Sequence, residues 1–208
     1  MSKIGIVCAM HEEVEKIITT FHLAEIDSQL DYRVYQNNHI TLIESNIGKV
    51  ASTLATTILI DQFNVDQLIN IGLAGAIKPI ATGSAYFISS VTQHDALIPF
   101  TNYQQDMYQR IICTMPDNTN KTVILTTGDQ FITDSSQIDN NADIVDMEGF
   151  AVAYVANKYN LPVTLIKGIS DDANGSSEAE LFKNLNTAMD QTIALLKQFI
   201  QTKKESSL

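Results

Sequence analysis

Short apolar runs alternate with stretches of helical periodicity along the chain. Ile4–Cys8 and residues 68–71 and 163–169 are almost continuously apolar, which is typical of strands that are buried on both faces of a sheet. Lys49–Phe63 changes period, because its apolar residues recur every three or four positions, and this predicts a helix. Similar patterns predict further strands at residues 33–35, 40–43, 86–89, 122–126 and 144–145 and helices at residues 149–159 and 178–200.

One domain accounts for these elements. Asn37 and Asn38 form a turn pair between two predicted strands and indicate a hairpin. No linker rich in Pro, Gly or Ser and no internal repeat divides the chain, so we expect a single α/β domain over residues 1–200 and a loose tail over residues 201–208. Buried strands that alternate with helices predict a mixed, mostly parallel central sheet flanked by helices.

Charge narrows the class of partner. The 208 residues contain 13 Lys and Arg against 24 Asp and Glu, a net charge of −11, and Arg33 and Arg110 are the only arginines. Binding of nucleic acid requires a basic stripe, and clamping of a phosphate ion favours several guanidinium groups. The sequence therefore predicts no nucleic-acid partner. Arg33 falls in the predicted hairpin, and Arg110 falls in a predicted surface helix.

No motif points to a metal, a cofactor or a membrane. Cys8 and Cys113 are far apart, and no two histidines share the i, i+3 or i+4 spacing of a helical metal site. Gly72 and Gly75 lack the spacing of a dinucleotide fingerprint. The first apolar run is too short to span a bilayer, so we expect a cytoplasmic protein without a membrane partner and without a cofactor.

Carboxylates follow three of the predicted strands, at the end of the sheet where α/β proteins bind ligands. Glu13 follows the first strand, Glu148 follows residues 144–145, and Asp171 follows the last strand. Each of them alone is equally well explained as an acidic residue in the first turn of a helix. Together they supply the acid, the base and the hydroxyl anchor that cleavage of a glycosidic bond needs. Phe131 is either a core residue or a surface on which a base stacks.

Seven sequence blocks carry a resemblance to a known family. In chain order they are Gly5-Ile6 with Ala9-Met10-x-Glu12-Glu13-Val14, Ile47-Gly48-Lys49-Val50, Asn70-x-Gly72-x-Ala74-Gly75, His94-Asp95-Ala96, Gly128-Asp129-x-Phe131-Ile132, Met147-Glu148 and Ile169-Ser170-Asp171. This set closely resembles the bacterial 5′-methylthioadenosine/S-adenosylhomocysteine nucleosidases of the purine nucleoside phosphorylase superfamily. The resemblance covers nearly the whole chain.

The resemblance implies a nucleoside phosphorylase-like fold, a homodimer, and hydrolysis of the N-glycosidic bond of 5′-methylthioadenosine and S-adenosylhomocysteine. Asp171, oriented by Ser170, would protonate N7 of adenine, and Glu13 would position and deprotonate the attacking water. Glu148 would hold the ribose hydroxyls. The other residues that would contact the nucleoside are Met10, Ile47, Ala74, Gly75, Phe131 as the stacking surface, Ile132 through its backbone, and Met147 beneath the sugar.

Some positions depart from the family pattern. Leu73, Lys167 and Asp146 stand where the family usually has a hydroxyl residue, an arginine and a glutamate. The stretch at residues 97–101 lacks the aromatic, glycine-bearing loop that helps to cover the 5′-thio substituent across a dimer interface. Two alternatives therefore stay open: a nucleoside phosphorylase, and a non-catalytic or differently specific binder of 5′-modified nucleosides. The shortage of arginine favours water over phosphate as the nucleophile.

Overall fold

The computed structural model describes residues 3–28, 31–96, 109–117, 119–138, 141–174 and 177–205. Within these ranges the strands are β1 (Ile4–Cys8), β2 (Ala24–Ile26), β3 (Val34–Gln36), β4 (Ile40–Glu44), β5 (Gln67–Ala76), β6 (Ala85–Gln93), β7 (Ile111–Ile112), β8 (Thr122–Thr127), β9 (Ile144–Asp146) and β10 (Val163–Asp171). The helices are α1 (His11–Phe21), α2 (Lys49–Phe63), α3 (Gly149–Lys158) and α4 (Ser177–Glu205), with a 3₁₀ turn at Ser135–Gln137.

The strands form one mixed sheet, part of which closes on itself. β5 pairs in parallel with β1 through residues 67–70 and then leaves it to pair with β9 through residues 75–76. β5, β10, β6, β8 and β9 pair successively into a ring, because β10 contacts β5 as well as β6. β1, β4, β3 and β2 extend from this ring as an open arm. Parallel and antiparallel pairings are equally frequent among the described strands.

Helices cover the sheet on two sides, as the apolar strand runs predict. In β1, Val7 packs in the hydrophobic cluster that includes residues of α2 and α3, whereas Ile6 and Cys8 pack in the cluster that includes residues of α1 and α4. This alternation follows from the two-residue period of a strand. The prediction of an α/β domain with a central sheet between helices is confirmed.

Local predictions fare differently along the chain. The hairpin is confirmed, since β3 and β4 pair antiparallel on either side of Asn37 and Asn38, and α2 has the predicted bounds. The prediction that Arg110 lies in a helix is wrong: Arg110 is exposed and lies in irregular chain directly before the short strand β7. The apolar residues of β7 pair with β6, and this long-range contact decides their conformation. β2 and β7 are too short to leave a sequence pattern.

The end of the chain also differs from expectation, because α4 continues to Glu205, five residues beyond the boundary predicted after Ile200. None of the described helices is both long enough and apolar enough to cross a membrane. The carboxyl ends of β1, β5 and β10, which run parallel, come together at one edge of the sheet, next to the first turns of α1 and α3. The carboxyl ends of β8 and β9 reach the same place from the opposite direction, because β9 is parallel to β8 and antiparallel to β5. The candidate chemistry lies at this edge.

Candidate active site

A cavity of about 390 Å³ opens at the carboxyl ends of these strands. It is lined by all eleven residues that the sequence predicts for the site: Met10, Glu13, Ile47, Ala74, Gly75, Phe131, Ile132, Met147, Glu148, Ser170 and Asp171. The lining residues that sequence reasoning did not assign to the site are Ala9, Leu73, Gln130, Val145, Asp146, Glu178, Leu181 and Phe182. Four of these eight directly adjoin a predicted residue in the chain, and Val145 lies two residues before Met147. Glu178, Leu181 and Phe182 belong to α4, whose pattern indicates only packing.

Glu13 is the third residue of α1 and is buried, with 3% of its surface exposed. Its Oε1 accepts from the backbone N–H of Leu73 at 2.8 Å, and its Oε2 accepts from the N–H of Met10 at 3.1 Å and from the thiol of Cys8 at 3.4 Å. Burial raises the pKa of Glu13, while Lys167 and these hydrogen bonds oppose the shift. A buried carboxylate whose pKa lies above its usual range is suited to accept a proton from a bound water.

Asp171 ends β10 and is buried. Its Oδ2 accepts from the Ser170 hydroxyl at 2.7 Å, which is the contact that the predicted orienting role requires, and its Oδ1 accepts from the N–H of Ala173 at 2.9 Å. The pairing of β10 with β5 slips by one residue here, so that Asp171 stands opposite Gly75. A Cβ at position 75 would lie 2.9 Å from Asp171 Oδ1, so glycine leaves room for the carboxylate.

Glu148 directly precedes α3 and is also buried. Its Oε1 accepts from the backbone N–H of Gly48 at 2.9 Å, which links the start of α3 to the start of α2. Burial and the neighbouring charge of Asp146 raise the pKa of Glu148 to about 7, although Lys167 and the Gly48 N–H act in the opposite direction. This carboxyl group therefore changes its charge close to neutral pH.

Asp146 and Lys167 form an ion pair next to the site. The ammonium lies 2.7 Å from Asp146 Oδ2, and each side chain is only 1% exposed. Asp146 also accepts from the Thr127 hydroxyl at 2.6 Å and from the N–H of Gly149 at 2.8 Å, so it joins β8, β10 and the first turn of α3. The two residues that depart from the family pattern at these positions are thus partners, which their separation of 21 residues in the sequence does not reveal.

The outer wall of the cavity is apolar and exposed to solvent. Ile47, Phe131 and Phe182 have 54%, 44% and 59% of their surface exposed. Phe131 is therefore not a core residue, and its role as a stacking surface stays a prediction. Ile132 behind it is buried.

Leu73 contributes its backbone to the site, since its N–H holds Glu13 where the resemblance leads one to expect a side-chain hydroxyl. The departure at residues 97–101 lies outside the described residues. His94 and Asp95 precede that stretch; Asp95 accepts from Lys49 Nζ at 2.6 Å and from the N–H of Asp129 at 2.8 Å. These two contacts link the loop after β6 to the start of α2 and to the loop after β8, next to the cavity.

The described lining contains the carboxylates of Glu13, Asp146, Glu148, Asp171 and Glu178 and no cationic side chain. Arg33 lies elsewhere, in a polar groove with Asp31 and Glu44. A cavity with buried acids, an apolar wall and no guanidinium group is suited to general acid–base chemistry on a small, mostly uncharged ligand.

Comparison with known proteins places this geometry in a family. Residues 3–201 match the family model described as the phosphorylase superfamily. The chain is 30% identical, over 94% of its length and 99% of the relative's, to the 5′-methylthioadenosine/S-adenosylhomocysteine nucleosidase of Shewanella frigidimarina. The chain belongs to this nucleosidase family of the phosphorylase superfamily.

Two solved structures superpose on almost the whole of this chain. The 5′-methylthioadenosine nucleosidase of Arabidopsis thaliana, in its apo form, matches with a TM-score of 0.89 and 25% identity and covers 97% of this chain and 96% of its own. A mutant of the futalosine hydrolase of Helicobacter pylori matches with a TM-score of 0.85 and 25% identity over 97% of this chain and 100% of its own. The predicted family and its fold are confirmed.

Proposed function

We propose that the chain hydrolyses the N-glycosidic bond of 5′-methylthioadenosine and S-adenosylhomocysteine and releases adenine. The observation that carries the proposal is the position of three buried carboxylates, Glu13, Glu148 and Asp171, which come from three separate elements and line one cavity. Its relatives bear the name of this activity.

The three carboxylates divide the reaction between them. Asp171 in its protonated form donates its proton to N7 of adenine, so that the base leaves as a neutral molecule while the C1′–N9 bond breaks. The sugar becomes oxocarbenium-like, and the negative charges of the site stabilise it. Glu13 takes a proton from the water whose oxygen bonds to C1′. Glu148 accepts hydrogen bonds from the ribose hydroxyls.

The apolar residues are distributed to suit the two halves of a nucleoside. Phe131 stacks on adenine, the backbone of Ile132 reads the edge of the base, and Met147 packs beneath the ribose. Met10 and Ile47 border the part of the cavity that we assign to the 5′ substituent, together with Phe182 of α4. Ala74 and Gly75, in the last part of β5, complete the wall next to Asp171.

Water is the nucleophile in this proposal, and the charge of the site supports it. A phosphate ion beside Glu13 would meet carboxylates and no cationic side chain among the described lining residues. Its two negative charges would be repelled in a cavity of low dielectric constant. This arrangement argues against the alternative of a phosphorylase.

A homodimer is also part of the proposal. Val50 and Leu54 are 82% and 52% exposed and lie one turn apart on α2, so they share a face, and Ile47 lies two residues before the helix begins. An apolar patch of this kind beside a ligand cavity is typical of an interaction surface. V50D/L54D should convert the dimer into a monomer in sedimentation velocity experiments, and a monomeric wild-type protein would contradict the proposal. The cytoplasmic location stays a prediction, and the proposed substrates add a second one, a part in methionine salvage.

The activity is tested by adenine release from 5′-methylthioadenosine, S-adenosylhomocysteine and adenosine in phosphate-free buffer. Wild-type protein should release adenine from the first two. E13Q should lose at least about 100-fold in kcat, because it removes the base, whereas the neighbouring exposed carboxylate gives a matched control, E12Q, that should keep the wild-type rate. Binding of methylthioadenosine without adenine release would instead favour the non-catalytic or differently specific nucleoside binder.

A further inference from the structure

Lys167 is a charged residue in the middle of a buried strand. It lies in β10 and is 1% exposed, and its ion-pair partner Asp146 is equally buried. Removing two charges from water costs about as much as their attraction returns, so apolar residues of similar size often stabilise a fold equally well. Stability alone therefore does not explain a lysine at this position.

Asp146 does not need the lysine for its own structural role. The Thr127 hydroxyl and the N–H of Gly149 already donate to its two oxygens, and these contacts hold the turn before α3. The hydrogen bond from Lys167 adds a third donor. Asp146 thus fixes the position of the ammonium group, whereas its own position is already held by the other two donors.

The space next to Lys167 points to a second partner. Gly72 stands opposite Lys167 in the pairing of β5 with β10, and paired residues of neighbouring strands project to the same face of a sheet. A Cβ at position 72 would lie 3.0 Å from Glu13 Oε1. The glycine therefore leaves a gap on the lysine's face of the sheet, and the carboxylate of Glu13 occupies it.

The titratable groups around the ammonium come from several elements. They are Asp146 of β9, Glu148 before α3, Glu13 of α1, Cys8 of β1 and, opposite Lys167 on β6, Tyr86. Burial opposes a charged lysine, but the three carboxylates raise the pKa of Lys167 above its usual value. Among the groups that counteract the effect of burial on the pKa of Glu13, Lys167 has the largest effect.

We propose that Lys167 is a positioning residue for Glu13: its ammonium group, anchored by Asp146, keeps the Glu13 carboxylate ionised and in place for the attacking water. The inference rests on the proposed function, because it assumes that Glu13 serves as the base. Glu148 provides an internal reference, because Asp146 raises the pKa of Glu148 and Lys167 lowers it. Removal of both residues should therefore affect Glu148 much less than Glu13.

Four variants separate this role from a purely structural one. K167M leaves the charge of Asp146 buried without its cation and should melt about 10 °C below wild type. The double variant K167M/D146N removes both charges and should recover most of that loss, which keeps the test open even if K167M does not fold. D146N alone is the control that retains the lysine, and K167R retains the positive charge.

Two readouts are measured on each variant. The first is the titration of the Glu13 and Glu148 carboxyl carbons by ¹³C NMR in substrate-free protein, which does not depend on catalysis. The second is the pH dependence of kcat/KM for adenine release from methylthioadenosine. Adenine release by the wild-type protein tests the proposed function, whereas the difference in Glu13 titration between variants tests the role of Lys167.

In K167M/D146N the midpoint of Glu13 and the acid limb of kcat/KM should both rise by about one pH unit, so that activity at acidic pH falls about tenfold relative to wild type. The midpoint of Glu148 should change little, and K167R should keep the Glu13 midpoint of wild type. D146N keeps the lysine but removes its anchor, so its Glu13 midpoint should lie between those of wild type and K167M/D146N. A Glu13 midpoint that is unchanged in a folded K167M/D146N protein would overturn the proposal, as would equal shifts of Glu13 and Glu148.

Discussion

The floor and the rim of the cavity are built in opposite ways. Floor residues Glu13, Glu148 and Asp171 are buried, and each accepts at least one hydrogen bond from a backbone N–H of another residue. Rim residues Phe131 and Phe182 are about half exposed and apolar. Floor residues come from strand ends and first turns of helices that the sheet holds in place, whereas Phe131 belongs to a loop and Phe182 to the first turns of α4.

This difference separates chemistry from selectivity. Backbone donors hold the floor carboxylates in fixed positions, as proton transfer requires, because a shift of 1 Å is costly in catalysis. An exposed apolar rim tolerates substitution and adapts to the group that it covers. We therefore expect floor substitutions to change kcat and rim substitutions to change KM.

The largest effect is expected at Asp171. D171N keeps the size of the side chain but cannot donate an acidic proton to N7, so kcat for methylthioadenosine should fall about 10³-fold. Binding measured by calorimetry should change less than threefold. The exposed neighbour gives the matched control D172N, which should retain wild-type turnover. Equal losses of kcat and affinity in D171N would show that Asp171 binds substrate without acting as the acid.

The sequence predicts the floor because parallel strands bring their carboxyl ends together. For that reason the acidic residue after β1 and the one at the end of β10, two strands that run parallel to β5, are expected at one edge of the sheet. Glu148 after β9 reaches the same edge although β9 runs antiparallel to β5. What the sequence does not show is the closed ring of five strands, because it depends on where β5 changes neighbours along its length. The pair of Asp146 and Lys167 is hidden for a similar reason, since it depends on side-chain directions across two strands. Ile111 and Ile112, directly after Arg110, show the converse, since their pairing with β6 and not a local helical pattern decides their conformation.

A floor substitution of intermediate effect is E148Q. The variant loses the charged acceptor that we propose for the ribose hydroxyls, a contact that strengthens in the transition state, so kcat should fall about 30-fold, equivalent to about 2 kcal/mol. The difference in stability between wild type and E148Q should also depend on pH. The pKa of Glu148 is raised to about 7 in the folded protein, so this group contributes stability below pH 4.5 that is lost as the pH rises through 7.

Urea unfolding at pH 5 and pH 8 measures that effect. The free energy of unfolding of wild type should decrease relative to that of E148Q between these two values, by about 2 kcal/mol. A constant difference between the two proteins over this range would contradict a buried Glu148 that ionises near neutral pH. D143N, at a partly exposed aspartate outside the cavity, is a control for the loss of one negative charge.

The smallest effect is expected at the rim. F131A removes the surface on which we propose that adenine stacks, and KM for methylthioadenosine should rise about tenfold, equivalent to about 1.4 kcal/mol, with kcat within threefold of wild type. F131Y keeps the ring and should keep the wild-type KM. A loss of kcat larger than the rise in KM in F131A would remove the distinction between floor and rim.

Product identity in the presence of phosphate tests the central claim most directly. Wild-type protein is incubated with 5′-methylthioadenosine with and without inorganic phosphate, and the sugar product is identified by mass spectrometry. We expect adenine and unphosphorylated 5-methylthioribose at the same rate in both buffers. Formation of 5-methylthioribose 1-phosphate, or adenine release only when phosphate is present, would contradict hydrolysis by a cavity lined with carboxylates.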